Sequence, residues 1–274
     1  MPRVFPALLW AASLAAQQSP PDIVRMLDRQ PCTESSRVKI CHDDYTVAGA
    51  SVEALSFVPA GVGPFPAALL IPGFERTARD LIPLGVRLAG VGIAAVSVSQ
   101  PGFGKSAGPA DYVGPKTINV LTVGFRKLQQ EPFVDPKRTG IYGYSRGGMA
   151  ASLLAVDLDD VKAAVFGAGV YDFQRMYDEA ILPGIRQNMK NETGMTPEAV
   201  RVRSSILRMD KLRCPVLILH GEADKNVPVS QAKLLARRLE ELHKEFDLRL
   251  FPGREHGIGP EVGQLTIEFF KEQL

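Results

Sequence analysis

Cysteine and histidine are scarce in this sequence. Its 274 residues include three cysteines and four histidines. No second pair of ligands accompanies Cys32, Cys41 and His42, so a zinc site is the weakest interpretation of those three residues. We therefore expect no metal and no cofactor. The small number of histidines also makes it possible to find a catalytic base by elimination.

The sequence also has no large excess of positive or negative charge. The 32 Lys and Arg residues nearly balance the 30 Asp and Glu residues, which leaves a formal net charge of +2. No dense stripe of Lys and Arg occurs, which argues against nucleic acid as a partner. The net charge does not distinguish between neutral and mildly charged substrates.

The sequence has no apolar run long enough to span a bilayer. The run from Val4 to about Ala16 is shorter than the roughly 20 residues that a transmembrane helix needs. It follows Arg3 and has small residues near its end, a pattern typical of a secretory signal peptide over residues 1–16. The alternative is a lipid-proximal anchor, although no lipobox cysteine follows the run. We expect a secreted or periplasmic protein with no stable membrane span in the mature chain.

Residues 17–51 are interpreted as an N-terminal extension. Within it, Cys32 and Cys41 lie close together in a polar stretch, and export favours a disulfide between them. Two free thiols, or the zinc half-site with His42, are the alternatives. Cys214 precedes Pro215 at the start of an apolar strand and is interpreted as a small buried hydrophobic residue.

From Val52 onward, predicted strands and helices alternate, which indicates an α/β fold with a mainly parallel sheet covered by helices on both faces. No internal repeat, low-complexity tract or Gly/Ser linker interrupts residues 52–274, so we predict one catalytic domain. The predicted strands are Val52–Val58, Ala67–Ile71, Ile93–Val98, Thr139–Tyr142, Ala163–Phe166, Val216–Leu219 and Leu248–Phe251. The predicted helices are Asp80–Gly90, Pro115–Gln130, Arg146–Val156, Val229–Leu242 and Val262–Leu274. Residues 171–212 form either a small helical cap or an ordinary pair of surface helices.

The pattern Gly-x-Ser-x-Gly occurs twice, around Ser106 and around Ser145. A nucleophile elbow requires a strand before the first glycine and a helix directly after the serine. Ser145 has both, whereas Ser106 follows Pro101-Gly102-Phe103-Gly104 in a predicted loop. Ser145 is therefore the candidate nucleophile.

A serine hydroxyl needs a base to remove its proton, and His256 is the remaining candidate once the other histidines are set aside. His42 lies before the predicted sheet, His220 at the end of a strand, and His243 in a charged helix end. His256 lies on the loop between the last strand and the last helix, where the ligand-binding edge of a parallel sheet is expected.

The imidazole needs an acid to fix its tautomer. Asp224, which follows the strand Val216–Leu219, gives the chain order Ser, Asp, His. Glu222 lies two residues too early, and Asp172, after the preceding strand, is the main rival. If Asp172 held the imidazole, Asp224 would cap the following helix.

Two backbone donors are needed for the oxyanion of the transition state. One is the N–H of Arg146, directly after the nucleophile. By position, the other is the N–H of Phe74 in Pro72-Gly73-Phe74. A plain turn at Pro72-Gly73 is compatible with that role.

From about Val52 to Leu274 the sequence resembles the α/β-hydrolase superfamily, and within it the prolyl oligopeptidase-like and dienelactone hydrolase-like serine hydrolases. The resemblance is carried by Val134-Asp135-Pro136-Lys137-Arg138 leading into Gly143-Tyr144-Ser145-Arg146-Gly147-Gly148, and by Pro215-Val216-Leu217-Ile218-Leu219-His220-Gly221 leading to Asp224. It implies an α/β-hydrolase fold and a triad of Ser145, Asp224 and His256.

Two departures from the oligopeptidase pattern concern the substrate. The chain leaves no room for a large propeller domain, and Phe74 stands where those enzymes often carry a tyrosine hydroxyl in the oxyanion loop. We therefore expect a serine hydrolase that cleaves small or medium esters. The alternatives are a secreted peptidase that acts on short peptides and a non-catalytic binding protein on a hydrolase scaffold.

Overall fold

The computed structural model describes residues 20–274, and in that part of the chain a nine-stranded sheet forms the centre of the fold. The strands of this sheet are β1 (Cys32–Ser35), β2 (Val38–His42), β5 (Ala54–Val58), β6 (Phe65–Ile71), β7 (Ala94–Val98), β8 (Val134–Tyr144), β9 (Ala163–Gly167), β10 (Val216–Gly221) and β11 (Phe246–Phe251). Two further strands, β3 (Tyr45–Val47) and β4 (Ala50–Val52), form a separate hairpin. The predicted signal peptide lies outside the described residues.

Helices precede β1 and lie between most of the strands from β6 onward. They are α1 (Pro20–Leu27), α2 (Ile82–Gly90), α3 (Pro115–Gln130), α4 (Arg146–Asp157), α5 (Phe173–Glu179), α6 (Pro183–Thr193), α7 (Pro197–Arg203), α8 (Ser230–Glu241) and α9 (Glu261–Gln273), with 3₁₀ helices at Ala78–Leu81 and Ser205–Lys211. None of the helices within residues 20–274 is both long and apolar enough to cross a membrane.

The strand order predicts a ligand-binding site at the carboxyl ends of the central strands. The order is β1-β2-β5-β7-β6-β8-β9-β10-β11, and the six strands from β7 to β11 run parallel. From β6, the chain proceeds to one side through β7 and later to the other side through β8. Ligands bind at such a reversal, beyond the carboxyl ends of the strands. The predicted mainly parallel fold is confirmed.

Helices cover both faces of the sheet, as alternate side chains of β6 show. Ala67, Leu69 and Ile71 pack into the core beneath α3, α4 and α8. Ala68 and Leu70 point to the opposite face and pack with α1, α2 and α9. Both sets are fully buried, which explains why the strand has a continuous apolar sequence instead of an alternating one.

The sheet begins at Cys32, earlier than the sequence predicted. Strands β1 and β2 form an antiparallel hairpin that extends the sheet through the pairing of β2 with β5. The hairpin turn at Ser36 and Arg37 has positive φ angles of 52° and 64°. Such turns are usually signalled by Asn or Gly, and neither is present here. The disulfide between Cys32 and Cys41 joins directly opposed residues of this hairpin.

Cys214 is free and buried. Burial raises the pKa of its thiol to about 12, so the group stays protonated and uncharged at neutral pH. It packs with the apolar core, as the sequence predicted.

Residues 171–212 fold into α5, α6, α7 and a 3₁₀ helix. This segment is called the cap segment below, because it forms a wall of the cavity at the carboxyl edge of the sheet. Met176 and Met189 are buried there and anchor α5 and α6 to the main core.

Candidate active site

Ser145 lies on the sharp turn between β8 and α4. Its backbone has φ 57° and ψ −122°, a strained conformation for a residue with a side chain. A Cβ atom at Gly143 would lie 2.0 Å from the carbonyl oxygen of Gly147, and one at Gly147 would lie 2.1 Å from that of Ile71. The tightness of the turn therefore requires both glycines of the Gly-x-Ser-x-Gly pattern.

Ser106 lies in a loop between β7 and α3 and has a different environment. Its hydroxyl is buried, accepts a hydrogen bond from the Glu53 N–H at 3.0 Å and donates one to the Ser99 carbonyl at 2.7 Å. These bonds tie the loop to the end of β7. No histidine is hydrogen-bonded to Ser106 in the part of the chain that the structure describes.

The structure brings His256 next to Ser145, although 111 residues separate them. His256 lies on the loop between β11 and α9, and its Nε2 is 2.9 Å from Ser145 Oγ. Its Nδ1 is 2.7 Å from Asp224 Oδ2. Because a carboxylate can only accept, Nδ1 carries the proton and Nε2 presents its lone pair to the serine hydroxyl.

Asp224 follows β10, and its side chain is fully buried. Oδ1 accepts hydrogen bonds from the N–H groups of Asn226 and Val227, at 2.8 Å and 2.9 Å. Burial alone would raise the pKa of Asp224, but the nearby His220 ring and the hydrogen bonds from His256 and the Val227 N–H outweigh it and hold the pKa well below its usual range. Asp224 is therefore ionised at neutral pH.

His220 is a second histidine beside this carboxylate, and its place at the end of a strand was all that the sequence predicted for it. It is completely buried, and its Nε2 donates to the Val227 carbonyl at 2.9 Å and lies 3.4 Å from Asp224 Oδ2. Its position at the end of β10, four residues before Asp224, is the signal that could have indicated this contact.

The alternative candidates for the acid and the base lie in other parts of the fold. The Asp172 carboxylate accepts from the Arg175 N–H at 3.0 Å and caps α5. His42 lies in β2 with its Nε2 3.1 Å from the Leu27 carbonyl, and His243 follows the end of α8. Only Asp224, among these alternatives, contacts the His256 imidazole.

Tyr144 is a further residue of the site whose role was not predicted from the sequence. Its hydroxyl donates to the His256 carbonyl and accepts from the Ile258 N–H at 3.3 Å. Its ring contacts the His256 ring edge-on, with 5.8 Å between centres. Burial raises the pKa of Tyr144 to about 12. Tyr144 therefore fastens the histidine loop to the strand that carries the nucleophile.

The predicted oxyanion donors belong to the turn after β6, which lies against Ser145, and to the residue that directly follows Ser145. A Cβ atom at Gly73 would lie 3.3 Å from Ser145 Cβ, which places the Pro72-Gly73-Phe74 turn against the serine. Arg146 is the first residue of α4. Neither the Phe74 N–H nor the Arg146 N–H donates a hydrogen bond to another described residue.

A cavity of about 800 Å³ opens beside Ser145 and His256. Its wall is mainly aromatic and aliphatic, and the cap segment contributes Met176, Leu182 and Ile185. The charged side chains that line it are paired: Arg146 with Glu192 at 3.0 Å and Arg76 with Asp80 at 3.1 Å. The cavity therefore offers an uncharged substrate group an apolar surface.

A strained serine elbow, a buried carboxylate and an imidazole at the carboxyl edge of a mainly parallel sheet define a serine hydrolase of the α/β-hydrolase fold. The model of the prolyl oligopeptidase family of serine peptidases matches residues 113–274, and the chain belongs to that family. The resemblance inferred from the two motifs is therefore confirmed.

Several relatives share this domain. The chain is 29% identical to the uncharacterized peptidase YtmA of Bacillus subtilis, over 85% of this chain and 92% of that protein. It is 31% identical to a venom dipeptidyl peptidase 4 of Vespa velutina, over 54% of this chain but only 20% of the venom enzyme.

Solved structures show the same fold. A puromycin-hydrolyzing peptidase of Mycobacterium tuberculosis superposes with a TM-score of 0.75 at 23% identity, covering 85% of this chain and 39% of that one. Acetyl xylan esterase 1 of Thermoanaerobacterium has a TM-score of 0.71 at 18% identity and is covered over 92% of both chains. The chain thus spans nearly all of YtmA and the esterase, but well under half of the larger peptidases.

Proposed function

We propose that this enzyme hydrolyses carboxylic esters through an acyl-enzyme on Ser145. The observation that carries the proposal is the continuous chain of hydrogen bonds from Ser145 Oγ through His256 to Asp224. His256 Nε2 removes the proton as Oγ attacks the substrate carbonyl carbon, and Asp224 stabilises the resulting imidazolium. The negative charge on the carbonyl oxygen is held by the N–H groups of Phe74 and Arg146.

Collapse of this tetrahedral intermediate breaks the bond to the alcohol, which takes the proton from His256 Nε2 as it leaves. Water then attacks the acyl-Ser145 carbon, again giving its proton to His256. The second intermediate expels Ser145 Oγ, which recovers the proton, and releases the carboxylic acid. The chain's own residues supply every proton transfer, so the proposed reaction needs no metal or cofactor.

Cavity chemistry supports an uncharged, mainly apolar substrate group. The charges of Arg146 and Arg76 are already compensated by Glu192 and Asp80, so a charged substrate group would enter without a partner. Burying an unpaired charge costs several kcal/mol. We therefore propose small or medium neutral esters as the preferred substrates.

Cleavage of short peptides is the second candidate, and family membership favours it. The family model, the relative YtmA and the larger relatives all carry peptidase names. The same acyl-enzyme steps cleave an amide if His256 protonates the departing amine.

A matched substrate panel distinguishes the two candidates. We expect p-nitrophenyl butyrate to be cleaved with a kcat/KM at least about tenfold above that of a p-nitrophenyl ester of succinate, whose extra carboxylate would enter unpaired. N-blocked and free aminoacyl p-nitroanilides test amide cleavage in the same assay, with Ser145→Ala as the blank. Anilide hydrolysis with a kcat/KM above that of all esters would make the enzyme a peptidase.

We further propose that residues 1–16 direct export and that residues 17–274 form the secreted or periplasmic enzyme. Support comes from the apolar run after Arg3 and from the disulfide of the β1–β2 hairpin, since such bonds persist in oxidising compartments. Mass spectrometry of exported material should show a chain that begins near Ala16, with no free thiol at Cys32 or Cys41. An intact Met1 together with two free thiols would contradict this proposal.

A further inference from the structure

The side chain of Arg146 is held in a fixed place beside the nucleophile. The residue is only 6% exposed, and its guanidinium carbon lies 4.3 Å from the centre of the Phe74 ring and 4.0 Å from that of Tyr112. Two of its nitrogens donate to the two carboxylate oxygens of Glu192, each at 3.0 Å. Stacking and a bidentate ion pair together fix the planar guanidinium in both position and orientation.

Glu192 connects this cation to the cap segment. It lies on α6, and the same carboxylate accepts a hydrogen bond from the Tyr112 N–H at 2.7 Å. Tyr112 has a positive φ of 46°, and its carbonyl accepts from Arg203 of α7 at 2.9 Å. One carboxylate therefore holds both the guanidinium and the backbone of the residue on which the guanidinium stacks.

Phe74 is the residue that depends on this arrangement. Its ring is partly exposed, and it contacts the Arg146 guanidinium and the edge of Phe103, the latter with 5.6 Å between ring centres. The Phe74 N–H and the Arg146 N–H belong to different segments, the loop after β6 and the start of α4. The side chain of Arg146 thus bridges the two residues whose N–H groups are the proposed oxyanion donors.

We propose that Arg146 and Glu192 act as positioning residues that set the distance between the two oxyanion donors, and so couple the cap segment to catalysis. The inference rests on the proposed function, because it assigns a role in that reaction to side chains that do not touch the reacting atoms. Glu192 fixes the guanidinium, the guanidinium fixes the Phe74 ring, and the ring fixes the loop that carries the Phe74 N–H. A misplaced donor weakens binding of the oxyanion more than binding of the uncharged ester.

The Arg146–Glu192 ion pair, together with the contact of the guanidinium with the Phe74 ring, is called the clamp below. Single substitutions test each of these two contacts. Glu192→Gln keeps the shape of the side chain and removes its charge, so it breaks the bidentate pair. Arg146→Met keeps an apolar side chain against Phe74 and removes the guanidinium. Arg146→Lys retains the positive charge but lacks the planar group that forms two parallel hydrogen bonds. Glu198→Gln is the matched control, since Glu198 forms an exposed ion pair with Arg201 in the same cap segment.

The experiment measures kcat and KM for p-nitrophenyl butyrate, together with the rate of labelling by a fluorophosphonate, whose phosphoryl oxygen occupies the oxyanion site. Loss of one donor costs roughly 100- to 1,000-fold in kcat. For displacement of a donor we expect about a 10- to 100-fold loss in Glu192→Gln and Arg146→Met, with KM within about threefold of wild type. Arg146→Lys should recover part of the rate, and Glu198→Gln should match wild type. The double variant Glu192→Gln/Arg146→Met should have a kcat no lower than that of the slower of its two single variants, because both substitutions act through one clamp.

Several outcomes would overturn the proposal. A higher KM with unchanged kcat would make Arg146 a substrate contact, and a lower Tm with unchanged kcat and labelling would make the pair purely structural. If Glu192→Gln does not fold, Glu192→Asp tests the same contact by shortening the side chain while the charge is retained, and the same loss in kcat is expected. A wild-type enzyme that neither cleaves esters nor reacts with the fluorophosphonate would instead overturn the proposed function on which the clamp rests.

Discussion

Ser145→Ala is expected to lower the turnover of p-nitrophenyl butyrate by roughly a millionfold, the scale seen when a triad serine is removed. The variant should also fail to react with a fluorophosphonate. Both losses follow because alanine has no oxygen to attack the substrate, while the methyl side chain fits the same turn. Steady-state assays, gel-based labelling and a circular dichroism spectrum that matches wild type check the prediction.

Ser106→Ala is the matched control, since Ser106 stands in the second Gly-x-Ser-x-Gly pattern. This variant loses the hydroxyl that joins the Glu53 N–H to the Ser99 carbonyl. We expect the free energy of unfolding to fall by about 1–3 kcal/mol, with labelling and turnover retained. Labelling that persists in Ser145→Ala and disappears in Ser106→Ala would reverse the assignment of the nucleophile.

Asp224→Asn is expected to reduce kcat by up to about ten-thousandfold. Oδ1 of Asp224 accepts two hydrogen bonds, from the N–H groups of Asn226 and Val227, so the asparagine oxygen must take that position. Its NH₂ group then faces Nδ1 of His256 and can only donate. The imidazole would have to move its proton to Nε2, which leaves no lone pair for the Ser145 proton.

Asp172→Asn tests whether this loss is specific. Asp172 caps α5 by accepting from the Arg175 N–H, and asparagine is about as good an N-cap as aspartate. We therefore expect kcat to stay within about twofold of wild type. A larger loss of kcat in Asp172→Asn than in Asp224→Asn would move the role of the acid to Asp172.

Much of the fold could be predicted because its signals are local. The helix over residues 115–130 was predicted with the bounds that the structure shows, since Pro115 and an apolar face define it within one segment. The hairpin of β1 and β2 was not predicted as part of the sheet. Its strands are short and polar, and its turn at Ser36 and Arg37 lacks the glycine or asparagine that usually marks such a turn.

The site shows a similar division. The structure brings Ser145, Asp224 and His256 together, and their selection depended on strand ends and chain order, which the sequence contains. The contacts of Tyr144 with the histidine loop and of Arg146 with Glu192 depend on how loops and the cap segment run in space. Arg146 and Glu192 are 46 residues apart, and the number of residues between them does not indicate that they meet.

Mapping the fluorophosphonate adduct on the wild-type enzyme tests the central claim most directly. Trypsin places Ser145 in the peptide Thr139–Arg146, or in its extension to Lys162 if cleavage beside the adduct is blocked, and places Ser106 in the separate peptide Ser106–Lys116. Tandem mass spectrometry should locate one adduct, on Ser145, and prior incubation with an ester-like inhibitor should reduce it. An adduct on Ser106, or on any residue other than Ser145, would contradict the proposed mechanism.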